Sequence, residues 1–70
     1  MAAPEETFAK NLRKAREKSG LSQEALGDLC GLHRTEISFL ERAQREPRLS
    51  TIVKLAKALK IKPSDLLKGL

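Results

Sequence analysis

Apolar residues recur along this 70-residue chain at three- and four-residue intervals, in blocks separated by short polar runs that hold glycine or proline. Such spacing places apolar side chains on one face of a helix, so the pattern predicts helices and no strands. Phe8, Leu12 and Ala15 lie at i, i+4 and i+7, Ser19 and Gly20 close the block, and Pro4 with the acidic Glu5 and Glu6 suits its start. Residues 1–4 are expected as a short tail and 5–70 as one domain. Leu26 and Leu29, widened by Ala25 and Cys30, form a second amphipathic block; Ser22 is placed to cap it, Gly31 to end it, and the apolar Leu32 to plug the turn. A third block starts near His33 and buries Ile37 and Leu40 with Glu41 beside them, which leaves Arg34, Thr35, Ser38 and Arg42 on the opposite face. After the polar loop AQREPRL, Ser50 is the candidate cap of a fourth helix carrying Ile52, Leu55, Ala56 and Leu59 inward and lysines outward. Lys60 to Lys62 form a break, and Pro63 and Ser64 restart a last turn with Asp65, Leu66 and Leu67. The expected fold class is all-α, with five helices.

A glycine inside a helix costs about 1 kcal/mol relative to alanine, so Gly27 needs a reason. Close packing of the two short helices is the favoured one, and tolerance in a solvent-facing turn is the other. Two helices pinned around a single glycine, the second with a hydrogen-bonding outer face, describe a helix-turn-helix and point to sequence-specific DNA binding. Arg16 and Glu41, charged residues near the inner faces of their helices, suggest a structural ion pair. If buried, such a pair is costly to break from one side.

The run LSQEALGDLCGLHRTEISFLERAQREPRLSTIVKLAKALKIKPSDLL resembles the lambda-repressor-like helix-turn-helix family, that of Cro, phage repressors and Xre-type regulators, over Phe8 to Leu67. The likeness rests on LSQEAL opening the first motif helix, glycine at the turn, an IS-x-LER ending, a later Pro-x-Leu and the LAKAL-x-I-x-PSDLL tail, in that order. It implies a compact five-helix domain that binds double-stranded DNA as a homodimer, with a recognition helix of about residues 33–42 in the major groove. That groove displays a distinct donor and acceptor pattern for every base pair. Arg34, Thr35 and Ser38 then stand as base contacts, and a bidentate Arg34–guanine pair is worth about 1–3 kcal/mol of discrimination. Gln23 matches the family's phosphate-contacting glutamine, and Arg42, Arg45 and Arg48 surround the loop that approaches the DNA backbone in relatives. His33 is a further candidate for phosphate, or a plain exposed residue. In relatives, an arginine and a glutamate at the positions of Arg16 and Glu41 bridge the first helix to the recognition helix. Leu67 and Leu70 are candidates for the dimer interface, since two-fold related modules grip half-sites about one helical turn apart. The short length and the expected absence of an effector domain resemble small stand-alone regulators, including phage repressors and the controller proteins of restriction-modification systems.

The chain also departs from the family pattern. Ala43 stands where glycine is usual after the recognition helix, leaving open whether that helix ends differently or runs longer. Glu36 replaces a frequent aromatic. Phe39 replaces a polar residue on the flank of the reading face, and contact with a thymine methyl, packing at a subunit boundary and ordinary core packing are all open to it.

Composition alters this picture little. Fourteen Lys and Arg against nine Asp and Glu, a net charge of +5, favour a polyanionic partner, though many basic proteins share the excess. A single cysteine and no long apolar run point to a reducing cytoplasm and to no membrane span, and the family resemblance implies that this cytoplasm is bacterial. Cys30 and His33 offer two ligands where a structural zinc needs four, and neither a catalytic triad nor a phosphate-binding glycine loop is present. No enzyme, cofactor, metal or small-molecule ligand is therefore expected. The competing readings are an antitoxin or adaptor module that uses the same fold to bind protein, and charge-driven non-specific nucleic-acid binding.

Overall fold

Phe8, Leu12, Leu26, Ile37, Leu40, Leu55 and Leu66 come from five helices and meet in one buried core. They do so in a computed structural model that describes residues 2–70; Met1, the first residue of the expected tail, lies outside the described residues. The helices are α1 (Pro4–Lys18), α2 (Gln23–Cys30), α3 (Arg34–Glu41), α4 (Leu49–Leu59) and α5 (Pro63–Leu66), and no strand occurs among the described residues. Short helices gain most of their stability from the face they bury rather than from propensity. Here α2 packs on α3 and α4, α1 on α3 and α5, and α4 on α5.

Local chemistry sets most boundaries. Pro4 occupies the first helical position of α1, one residue inside the stretch expected as tail, and the Glu6 carboxylate accepts the Ala3 N–H at 2.9 Å. The Ser22 hydroxyl accepts the Ala25 N–H at 3.0 Å, and Gly31 ends α2 in the left-handed region at φ 74°. The start of α4 differs from expectation. Arg48 takes the extended cap conformation directly after Pro47, and its carbonyl accepts the Ile52 N–H at 3.0 Å, so Ser50 falls inside the first turn instead of capping it. Leu29, expected on the inner face, is 61% exposed. Burial of Gly27 turns the inner stripe of α2 toward Leu26, Gly27 and Cys30, and Leu29 is left outside it.

The C-terminus is tied back by a residue without an obvious signal. Asn11 Nδ2 donates to the carbonyls of Leu66, at 2.9 Å, and Lys68, at 2.8 Å, which joins α5 to the middle of α1.

Candidate nucleic-acid interface

The position of α3 is decided on its inner side. At Gly27 an added Cβ would collide with the Leu32 carbonyl oxygen, while the Leu32 N–H donates to the Gly27 carbonyl at 2.9 Å. Backbone thus lies directly on backbone where α2 hands over to the turn, and only glycine fits. The close approach expected of Gly27 is present, made with the turn itself. At the start of α3, His33 Nδ1 accepts the Thr35 N–H at 3.1 Å, so the ring acts as a helix cap, and in the neutral imidazole the proton sits on Nε2.

At the other end, Arg16 Nε and Nη2 reach the two oxygens of Glu41 at 2.6 and 3.0 Å. The side chains are 13% and 3% exposed. Arg16 Nη1 also donates to the Leu21 carbonyl at 2.8 Å, and Gln23 Nε2 donates to Glu41 at 3.1 Å. Chiefly through these hydrogen bonds, with its charge assisting, Glu41 raises the Arg16 pKa against the opposing effect of burial. One carboxylate therefore links α1, the start of α2 and the end of α3. Gln23, expected to face phosphate, has its amide nitrogen committed to this cluster.

The outer face is open. Arg34 and Thr35 are exposed and Ser38 is half-buried, and the nearest acid to Arg34 is Glu24 at 3.9 Å, itself exposed. Beyond α3 the chain reverses sharply. Ala43 takes φ 57°, its N–H donates to the Leu40 carbonyl at 3.2 Å, and the Gln44 N–H donates to the Phe39 carbonyl at 2.9 Å. So α3 does not run longer: alanine adopts the left-handed conformation that glycine takes without a Cβ penalty.

That reversal brings Arg45 back over the helix. Its guanidinium carbon sits 4.7 Å from the centroid of the Phe39 ring, that of Arg42 sits 5.4 Å away, and Arg45 Nη1 lies 3.4 Å from Glu36 Oε1. Arg42 Nε donates weakly to the Ser38 carbonyl, and Arg48 stands exposed at the start of α4. Three roles are open to Phe39 from the sequence, and stacking with Arg42 and Arg45 is none of them. The legible signal was its spacing, one turn before Arg42.

Charge type is segregated as well: no lysine occurs between Lys18 and Lys54, whereas Arg34, Arg42, Arg45 and Arg48 all fall in that interval. Arginine's planar fork suits phosphate and guanine in a way an ammonium does not.

Other chemistry is sparse. Among the described residues no group of three or more His, Cys, Asp or Glu could hold a metal. Burial pushes the Cys30 thiol up, and its Sγ lies 3.1 Å from the Leu26 carbonyl, so it packs as a small apolar group. Leu67 and Leu70 border a shallow cavity of about 140 Å³ with Pro47 and Ile52, and Leu49 and Val53 add exposed apolar surface on α4.

A short helix rooted by a buried ion pair, with its polar face turned outward, places the molecule among helix-turn-helix proteins. The helix-turn-helix family profile matches residues 12–66, and the chain belongs to that family. It is 50% identical over 54 residues to control protein C.SmaI of Serratia marcescens, a match that takes in 77% of this chain and 64% of that protein's length. The crystal structure of the restriction-modification controller protein C.AhdI from Aeromonas hydrophila matches with a TM-score of 0.89 at 45% identity, covering 93% of this chain and 98% of the other. The c2 repressor of a Salmonella phage, crystallised in complex with a synthetic operator, matches with a TM-score of 0.82 at 36% identity, covering 90% and 96%.

Proposed function

We propose that the chain is a sequence-specific DNA-binding transcription regulator that grips a pseudo-palindromic operator as a homodimer, with α3 in the major groove. The observation that carries this reading is the exposed face of Arg34 and Thr35 on a helix whose inner side is locked by Gly27 and Glu41. Arg34, Thr35 and Ser38 are assigned to base edges, and Arg42, Arg45, Arg48 and His33 to phosphates. Gln23 reaches the backbone only through whatever its amide can offer beyond Glu41. Leu67 and Leu70 supply the two-fold contact.

Relatives that are controller proteins and a repressor seated on operator DNA favour this reading over an antitoxin or adaptor module. A bacterial or phage regulator acting in the cytoplasm, without catalysis, fits the same relatives. Among the described residues no helix is long and apolar enough to cross a membrane.

Selection from a random duplex pool tests the proposal. Enrichment of a palindrome whose preference over random DNA survives a rise in salt is the expected result. Recovery of random sequence, with affinity that collapses in salt, would overturn it in favour of charge-driven binding.

A further inference from the structure

We propose that Phe39 is a positioning residue for DNA binding: its ring holds the guanidinium groups of Arg42 and Arg45 as a paired cationic edge beside the reading helix. The inference rests on the DNA-binding reading above and assigns a role to a residue outside the expected contact set.

Both cations lie within 5.4 Å of the ring centroid, inside the range in which the negative face of an aromatic ring attracts a cation. They arrive from different directions. Arg42 follows Phe39 on the same helical face, whereas Arg45 returns only because Ala43 takes a positive φ and the Gln44 N–H closes on the Phe39 carbonyl. Phe39 therefore organises the exit of α3 twice, through its carbonyl and through its ring.

A long arginine side chain loses rotamer freedom when it engages phosphate, and a ring that already holds it removes part of that loss. Glu36 holds Arg45 from another side, at 3.4 Å. A phosphate can replace that carboxylate, since both are oxygen anions of matching geometry. The ring contact needs no such exchange and persists on DNA. Phe39 thus keeps the arginines ordered before and after binding, while Glu36 is displaced.

Two measurements on the full chain test this. In the free protein, the Cδ protons of Arg42 and Arg45 should resonate upfield through the ring current, and should return to ordinary positions in Phe39→Leu. For the selected duplex, Phe39→Leu should bind about threefold to tenfold more weakly, Phe39→Trp should bind within about twofold of wild type, and Phe39→Leu should cost little more in an Arg42→Ala, Arg45→Ala background. The wild-type ring-current shift needs no variant, so a Phe39→Leu chain that fails to fold leaves a decisive readout, with Phe39→Met taking its place in the binding series. Unshifted arginine protons in wild type would overturn the inference. So would wild-type affinity in a folded Phe39→Leu or Phe39→Met chain. A wild-type chain that selects no duplex overturns the DNA-binding reading and the DNA role of Phe39 with it, whereas normal wild-type binding with an inert Phe39 overturns this inference alone.

Discussion

The two turns that flank α3 are built differently. Entry, from α2 into α3, is chiefly backbone against backbone: Gly27 lies on the Leu32 carbonyl and Gly31 takes the left-handed conformation, with the His33 ring adding one side-chain cap on the Thr35 N–H. Exit, from α3 toward α4, adds a layer of side chains to its backbone turn, with Arg42 and Arg45 both against the Phe39 ring, Glu36 on Arg45, and an alanine where the conformation favours glycine. Backbone contacts at entry cannot be re-chosen by a rotamer change, so they fix the angle between α2 and α3. Side chains at exit can be exchanged without moving the helix. The seat of α3 is thus set by backbone at its entry and by the Glu41 ion pair to α1 at its exit, while the outer side chains of the exit turn are exchangeable.

Removing that fastening should have the largest effect. Glu41→Ala strands the Arg16 guanidinium in a site where it is 13% exposed and also frees the Gln23 amide, and an uncompensated buried charge costs about 3–5 kcal/mol. Chemical denaturation should read at least about 3 kcal/mol of lost stability. A loss below about 1 kcal/mol would place the pair with ordinary surface ion pairs.

Gly27→Ala comes next and attacks the entry turn. Alanine gains about 1 kcal/mol in helix propensity, but its Cβ meets a carbonyl oxygen that no rotamer can move. Overpacking against backbone should leave a net loss of about 2 kcal/mol, read as a lower thermal midpoint. Unchanged stability would show that α2 and α3 can reseat, and the contrast between the two turns would fail.

Ala43→Gly is the mirror experiment at the exit. The left-handed conformation costs a non-glycine residue about 1–2 kcal/mol, and the greater entropy of an unfolded glycine returns part of that, so the variant should gain about 0.5–1 kcal/mol. A destabilised Ala43→Gly chain would mean that the alanine methyl has packing value that its half-buried position conceals.

Much of this architecture was legible because its causes are local. The serine cap of α2, the glycine that ends it, and the burial of Ile37 and Leu40 each follow from residues within one or two turns of each other. Gly27 was legible because a glycine inside a helix demands a reason. What could not be read depends on how elements meet. Leu29 satisfies helical spacing, but the direction of the α2 stripe is decided by the backbone contact at Gly27. Asn11 gives no sign in the sequence that it holds carbonyls 55 and 57 residues away. His33 looks like a surface residue until its backbone φ and ψ show it to be a cap. At the candidate site the residue types on the outer face were readable, whereas the stacking of Arg45 on Phe39 requires a chain reversal at Ala43 that an alanine does not announce.

The smallest effect on the fold should come from Glu36→Gln, and it sharpens the comparison most. The Arg45 and Glu36 side chains are 55% and 37% exposed, and exposed pairs contribute from nothing to about 1 kcal/mol, so stability should change by less than about 0.5 kcal/mol. Binding should change in a particular way. In the proposed complex Glu36 is an anion that competes with phosphate for Arg45, and such competition would act on every DNA sequence alike. Its neutralisation should raise affinity for random duplex about twofold to fivefold at low salt, less so as salt screens the surface, and so narrow the margin between operator and random DNA. The measurement is a pair of salt titrations, operator and random, for wild type and variant. An entry-turn variant that loses DNA binding should do so together with its thermal midpoint, whereas Glu36→Gln should shift non-specific affinity with the midpoint held. Equal affinity of both proteins for random DNA across the titration would show that Arg45 does not meet phosphate, and would move the adjustable chemistry from the exit turn to the face of Arg34 and Thr35.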